Sequence, residues 1–183
     1  MTLLVLGLGL WMCGHLMKRL LPGLRAALGR TGKPVVAVMI VAGLVLMIVG
    51  YRATEAAPIY VLPFWVWYLN NALMLVALVL LDAGRVKGVI RTKIRHPMLT
   101  GVTVWSAAHL LVNGDMPSVV LFGGLGIWAL AEMAVINRSE GAWARPEPGS
   151  LARDARLVLI ASVLYAVIVA IHGWLGYGVF VVF

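Results

Sequence analysis

Six long runs of apolar residues, separated by short polar or charged segments, dominate the pattern of this chain. They cover residues 2–17, 35–50, 62–81, 97–112, 118–136 and 157–182. Runs of this length indicate transmembrane helices, because about 20 apolar residues cross a bilayer core about 30 Å thick. We therefore expect an all-α fold, a polytopic membrane bundle of about six transmembrane helices, with residues 1–183 forming a single membrane domain.

The distribution of charge sets the expected orientation of these helices. The formal net charge is +8, and all 15 Lys and Arg residues except Arg52 fall within residues 18–33, 85–95 and 138–156. Basic segments that alternate with nearly neutral ones are typical of cytoplasmic loops. The pattern thus predicts a multi-pass protein with both termini outside. Its basic loops would face anionic lipid, and nucleic acid is not an expected partner.

The absence of several well-known sequence motifs excludes some function classes. Cys13 is the single cysteine, so no intrachain disulfide and no Cys-x-x-Cys-His haem attachment can form. Phosphate-binding loops and the Gly-x-Ser-x-Gly nucleophile elbow are also missing from the sequence. Covalent haem, NTPase and serine hydrolase functions are therefore not expected.

Histidines are the main candidates for chemistry inside the membrane. Proline favours the first helical position, so Pro97 places His96 just outside a helix, at the cytoplasmic interface beside Arg95. His109 follows Pro97 by 12 residues and would lie roughly 18 Å into the membrane. An ionisable group at that depth is usually functional. His96 and His109 are roughly 20 Å apart along one helix, so they cannot bind the same metal ion.

A haem or metal at His109 would need a second histidine from another helix. His15 lies roughly 5 to 9 Å deep and His172 roughly 24 Å deep, both measured from the cytoplasmic face. Depth alone favours His172, although helix tilt can absorb the difference. We also expect Glu132 to face the bundle interior, where it would be either protonated or paired with an arginine or a histidine.

Several motifs taken together identify a family resemblance. They are Gly14-His15, Arg95-His96-Pro97-x-x-x-Gly101, Trp105-x-x-Ala108-His109-Leu110 and Asn113-Gly114-Asp115. With them, residues 4–136 resemble the NnrU family of bacterial membrane proteins, which leaves a C-terminal helix at about 157–182. That family is linked by name to nitrate, nitrite and nitric oxide reduction, and it is related to 15-cis-zeta-carotene isomerase.

The resemblance implies a non-covalent haem b held by two histidines, in a protein of the bacterial inner (cell) membrane. The isomerase's iron ligands correspond here to His15 and His109, with His172 as the alternative ligand. Arg95 and His96 would be cofactor-binding residues at the interface. Bis-histidine ligation suits a protein of redox or nitrogen-oxide metabolism with a redox partner, or an isomerase-like enzyme. The resemblance assigns no catalytic residue.

Arg95-His96-Pro97 also supports an alternative function. Isoprenylcysteine carboxyl and phospholipid methyltransferases place a similar motif at the cytoplasmic surface, where it helps to hold S-adenosylmethionine. Those enzymes usually have an aromatic residue where this chain has Leu99, and they carry later motifs that residues 137–143 do not match. A membrane methyltransferase is therefore the second hypothesis.

Overall fold

The computed structural model describes residues 1–178, and this part of the chain is all-helical, with no strand. Its helices are α1 (Thr2–Leu20), α2 (Pro22–Ala27), α3 (Gly32–Arg52), α4 (Val66–Ala83), α5 (Pro97–Val112), α6 (Met116–Glu140) and α7 (Leu151–Trp174). Each of the six apolar runs corresponds to one long helix, whose ends differ from those of the run by a few residues. The short α2 lies in the first basic segment.

Five of these helices, all except α2 and α5, are long and apolar enough to cross a membrane. The helix α5 is also apolar, but with 16 residues it is shorter than these five helices. The predicted fold class, an all-α membrane protein, is therefore confirmed. The orientation of the termini stays a prediction.

The last helix differs from its predicted span of 157–182. It begins earlier, at Leu151, and its first turn contains Asp154, whose negative charge is favourable near a helix N-terminus. It ends at Trp174, shortly before Gly176, whose φ of 85° is a left-handed conformation that stops helices. Residues 179–182 of the predicted run lie outside the described residues.

The chain divides into two compact units, which we describe separately. Unit 1 consists of residues 1–60 and 114–141 and contains α1, α2, α3 and α6. Unit 2 consists of residues 61–113 together with the chain from residue 142 onward, and it contains α4, α5 and α7. The expectation of one membrane domain stays a prediction.

In unit 1, α1 packs closely against α3 through glycines. A Cβ atom on Gly7 would lie 2.6 Å from the backbone nitrogen of Met47, and one on Gly43 would lie 2.9 Å from the carbonyl oxygen of Gly7. Side chains larger than hydrogen would force these backbones apart. Leu4, Leu8 and Met47 form the buried apolar core beside this contact. Small residues thus allow close helix packing where lipid supplies no hydrophobic driving force.

The start of α6 is fixed to the loop that follows α3. Met116 donates its backbone N–H to the carbonyl of Ala57 at 2.9 Å, and Ile59 donates to the carbonyl of Gly114 at 2.7 Å. Asp115 caps α6 by accepting from the N–H of Ser118 at 2.9 Å. These bonds fix the position at which α6 enters unit 1.

In unit 2, α4 packs against both α5 and α7. Gly101 allows the closest approach of α5, since a Cβ there would lie 3.0 Å from the carbonyl oxygen of Ala77. The segment between α4 and α5 is attached to α7 by Asp154, whose buried carboxylate accepts from the backbone N–H groups of Val89 at 2.7 Å and Ile90 at 3.2 Å. The segment that leads to Arg95 and His96 is thereby anchored within unit 2.

Candidate functional site

His15 lies on α1 in unit 1, and its imidazole packs against two indole rings that also contact each other. The ring centroid of Trp11 is 4.4 Å away and that of Trp128, on α6, is 4.7 Å away. Nδ1 of His15 lies 2.9 Å from the carbonyl oxygen of Trp11. Because a carbonyl only accepts, Nδ1 carries the hydrogen, and in the neutral ring the lone pair is then on Nε2. The arrangement fixes the ring and leaves Nε2 able to bind a metal.

His109 has the same local geometry on α5 in unit 2. Its Nδ1 lies 2.9 Å from the carbonyl oxygen of Trp105, and the two ring centroids are 4.6 Å apart. Each histidine thus follows a tryptophan by four residues, in a Trp-x-x-x-His motif that occurs once in each unit. Gly14 and Ala108, which precede the two histidines, are both buried. We did not predict this repeat from the sequence, although the spacing of Trp and His was its visible signal.

His172 shares only part of this geometry. Its Nδ1 lies 2.8 Å from the carbonyl oxygen of Ile168, so Nε2 is again the nitrogen with the lone pair. The residue four positions earlier is aliphatic, however, and no indole packs on the ring among the described contacts. His172 is in the same unit as His109.

Arg95 and His96 lie at the start of α5, as the sequence predicted. His96 is the residue before the helix, with φ −123° and ψ 64°, and Pro97 occupies the first helical position. The carbonyl of His96 accepts from both the backbone N–H and the hydroxyl of Thr100, each at 2.9 Å. His96 and His109 are therefore at opposite ends of α5, and the structure separates them as helical geometry requires.

A buried charge pair lies one turn from the aromatic cluster of unit 1. Arg19 on α1 donates to Oε1 of Glu132 at 3.1 Å and to Glu140 at 3.2 Å, both on α6. Glu132 is 6% exposed. The prediction that Glu132 faces the interior and pairs with an arginine or a histidine is confirmed for arginine. Nothing in the pattern of residues indicated that Arg19 was this partner.

Three buried polar atoms around His15 have no hydrogen-bond partner among the described residues. They are Nε1 of Trp11, Nε1 of Trp128 and Oε2 of Glu132. Buried polar groups in proteins are almost always bonded, so each exception needs an explanation. A bound group that carries oxygen acceptors would satisfy the two indole N–H donors.

Two further observations concern possible ligands. Within residues 1–178, no three His, Cys, Asp or Glu side chains come together in a geometry that could hold a metal ion. Unit 1 also contains a pocket of about 370 Å³ near His15, lined in part by Lys18, Arg25 and Lys33. Sequence reasoning did not find this pocket, because its lining comes from separate helices.

Comparisons with known proteins support one family. The model of the NnrU protein family matches residues 3–179, which includes the C-terminal helix that the resemblance in the sequence had left out. No curated protein and no solved structure matches the chain at a significant level.

Proposed function

Because this chain belongs to the NnrU family, we propose that it is an integral membrane protein that holds a non-covalent haem b. The residues that would hold the iron are His15 and His109, each through Nε2. We further propose that the protein serves redox or nitrogen-oxide metabolism in the bacterial inner membrane, with a redox partner. An isomerase-like activity is the enzymatic form of this proposal.

The observation that carries the proposal is the repeated pairing of tryptophan and histidine. Histidines that bind metals almost always donate their other ring N–H to a carbonyl, a carboxylate or water, which fixes the ring and makes the ligand more basic. His15 and His109 both do this, with the carbonyl oxygens of Trp11 and Trp105. An imidazole at membrane depth is costly unless it serves a purpose, and two such rings in matching geometry support a shared role.

The residues around His15 fit a haem on chemical grounds. The N–H groups of Trp11 and Trp128 are buried donors without partners in the described structure. The carboxylate side chains of haem b are acceptors of the kind that such donors need. The indole rings also supply the apolar, planar surfaces that a porphyrin requires. Arg95 and His96 are the proposed interfacial contacts of the cofactor at the start of α5.

A haem b held by these two histidines would supply one-electron redox chemistry. The role of this chain's residues is then to hold the haem and to tune its redox chemistry. The backbone carbonyls of Trp11 and Trp105 fix the two imidazoles, and the indole rings pack against those imidazoles. Glu132, one turn after Trp128 on α6, is held by Arg19.

His172 is the alternative second ligand to His109. It lies in the same unit as His109 and also has its Nδ1 on a carbonyl. It lacks the tryptophan partner that His15 and His109 share. We therefore propose His15 as the ligand and use His172 as the matched control.

The visible absorption spectrum of the purified protein tests the proposal. From haem-replete cells, the protein should show a Soret band and, when reduced, sharp α and β bands, and pyridine extraction should identify haem b. His15→Ala and His109→Ala should each lose this low-spin spectrum. His172→Ala should keep it, because the substitution removes an imidazole from a helix without removing a ligand.

Three outcomes would overturn parts of the proposal. A colourless preparation that binds S-adenosylmethionine would favour the methyltransferase hypothesis. Loss of the spectrum in His172→Ala with retention in His15→Ala would make His172 the ligand. Retention of an unchanged low-spin spectrum in both His15→Ala and His109→Ala would refute bis-histidine ligation by these residues.

A further inference from the structure

A basic pocket lies between the paired ends of α1 and α3 in unit 1. Its volume is about 370 Å³. Four of its lining side chains are cationic, namely Lys18, Arg19, Arg25 and Lys33. Its other lining residues are mostly small or aliphatic, and Val36, Ala37 and Ile40 on α3 form an apolar wall. The pocket therefore combines a concentrated positive charge with a surface suited to hydrocarbon.

Most of this positive charge is not compensated by the protein. Arg19 is paired with Glu132 and Glu140. No salt bridge from Lys18, Arg25 or Lys33 occurs in the part of the chain that the structure describes. Three cations in one pocket repel each other, and an anion that binds among them would remove that repulsion.

The N-terminal end of α3 adds to the positive potential. A 3-10 turn at Gly29–Thr31 leads into α3 and accepts the N–H of Gly32, and neither this turn nor the first turn of α3 has an acidic residue or a side-chain cap. The guanidinium group of Arg25 lies against Gly32, where a Cβ atom would collide with it. A cation beside the positive end of a helix is unfavourable unless an anion is also present. Gly32 thus allows the guanidinium group of Arg25 to lie at the positive end of α3. A negatively charged ligand would stabilise this arrangement.

We propose that this pocket is a specific site for an anionic phospholipid whose headgroup carries two phosphate groups. The three uncompensated cations match such a headgroup, and the wall of Val36, Ala37 and Ile40 accommodates the start of its acyl chains. Basic pockets between transmembrane helices on the cytoplasmic side commonly bind headgroups of this class. The first basic segment has the predicted cytoplasmic location. His15 also lines the pocket, but the cations and the apolar wall that would hold the lipid are not among the proposed iron ligands.

Native mass spectrometry and lipid titration of the purified full-length protein in detergent test this inference. Cardiolipin, which has two phosphodiester groups, should bind more tightly than singly charged phosphatidylglycerol, and phosphatidylcholine should not compete. The triple variant Lys18→Gln/Arg25→Gln/Lys33→Gln should lose affinity for cardiolipin by roughly 100-fold, as expected for the loss of three lipid-facing charges. Its haem spectrum should match that of the wild type, which separates this test from that of the haem proposal.

Two controls keep the test specific. Arg30→Gln/Lys93→Gln/Arg138→Gln removes the same charge from residues outside the pocket lining and should bind cardiolipin like the wild type. Ala37→Trp fills the pocket without changing charge and should weaken binding, whereas Val38→Trp, on the exposed neighbouring position, should not. Helix content measured by circular dichroism should be unchanged in all four variants.

Other results would contradict the proposal. Equal loss of affinity in both triple variants would show that the attraction is non-specific. Unchanged binding in Ala37→Trp and in the pocket triple variant would place the lipid elsewhere. If pyrophosphate binds to the wild type at micromolar concentration and cardiolipin does not displace it, the ligand is a soluble phosphate compound and the lipid assignment is wrong.

Discussion

Arg19 donates a hydrogen bond to the buried carboxylate of Glu132 across 3.1 Å, which joins α1 to α6 within unit 1. Only one oxygen of Glu132 takes part, and the other has no partner among the described residues. The side chain of Arg19 is 26% exposed, while that of Glu132 is 8% exposed. The carboxylate therefore depends on this one arginine for its neutralisation.

Removal of Arg19 should destabilise unit 1 strongly. Arg19→Gln leaves a buried carboxylate without a counter-charge, and we expect a loss of about 2 to 4 kcal/mol in the free energy of unfolding. Titration with denaturing detergent, followed by circular dichroism, measures the change. The double variant Arg19→Gln/Glu132→Gln should recover most of the loss. Equal instability of the single and double variants would show that the charge pair is not the cause.

Close helix packing at Gly7 gives a second prediction. Gly7→Ala should destabilise the contact of α1 with α3 by about 1 to 3 kcal/mol, because the new methyl group would overlap backbone atoms of α3. Gly9→Ala is the matched control on the same helix, since nothing lies within 4 Å of a Cβ atom there. It should be neutral or slightly stabilising. Thermal unfolding in detergent distinguishes the two, and equal melting temperatures would contradict the prediction.

The attachment of the loop before α5 to α7 can be tested by proteolysis. Asp154→Ala removes the acceptor for the N–H groups of Val89 and Ile90, at an expected cost of about 2 kcal/mol. Trypsin should then cut more rapidly after Lys87 or Arg91. Asp82→Ala, which removes only an exposed pair with Arg85, is the control and should leave the cleavage rate unchanged. A rate that is equal in both variants would refute the role of Asp154.

Tyr60 provides a prediction about alkaline pH. Partial burial, and then the negative charge of Asp115, raise the pKa of Tyr60 above its ordinary value of 10.0. The folded protein therefore holds this proton more tightly than the unfolded chain. Its stabilising contribution is complete below pH 10.0 and is lost as the pH rises through the folded pKa.

A difference titration measures this effect. The absorbance change of the wild type minus that of Tyr60→Phe should report one phenol that ionises above pH 10.0. The stability of Tyr60→Phe should also fall less steeply than that of the wild type over the same pH range. A difference curve with its midpoint at or below 10.0 would contradict the raised pKa.

Most of the fold could be predicted from the sequence because the bilayer imposes length and hydropathy on every spanning helix. Each of the six apolar runs contains a helix, and Pro97 marks the start of α5 as expected. The end of α7 was less predictable. Its apolar run continues beyond Trp174, whereas the helix stops at a glycine turn whose conformation hydropathy does not encode.

The sequence by itself determined which histidines lie in helices, that Glu132 needed a partner, and the family to which the chain belongs. The tertiary structure decided that Arg19 is that partner, and that Lys18, Arg25 and Lys33 line one pocket. It also showed that in each Trp-x-x-x-His motif the two rings pack at a tilt and the tryptophan carbonyl fixes the imidazole. Hydropathy gives the depth of a residue along a helix. Which side chains become neighbours across two helices depends on packing between segments distant in sequence. The hydrophobic periodicity of each segment contains no information about that packing.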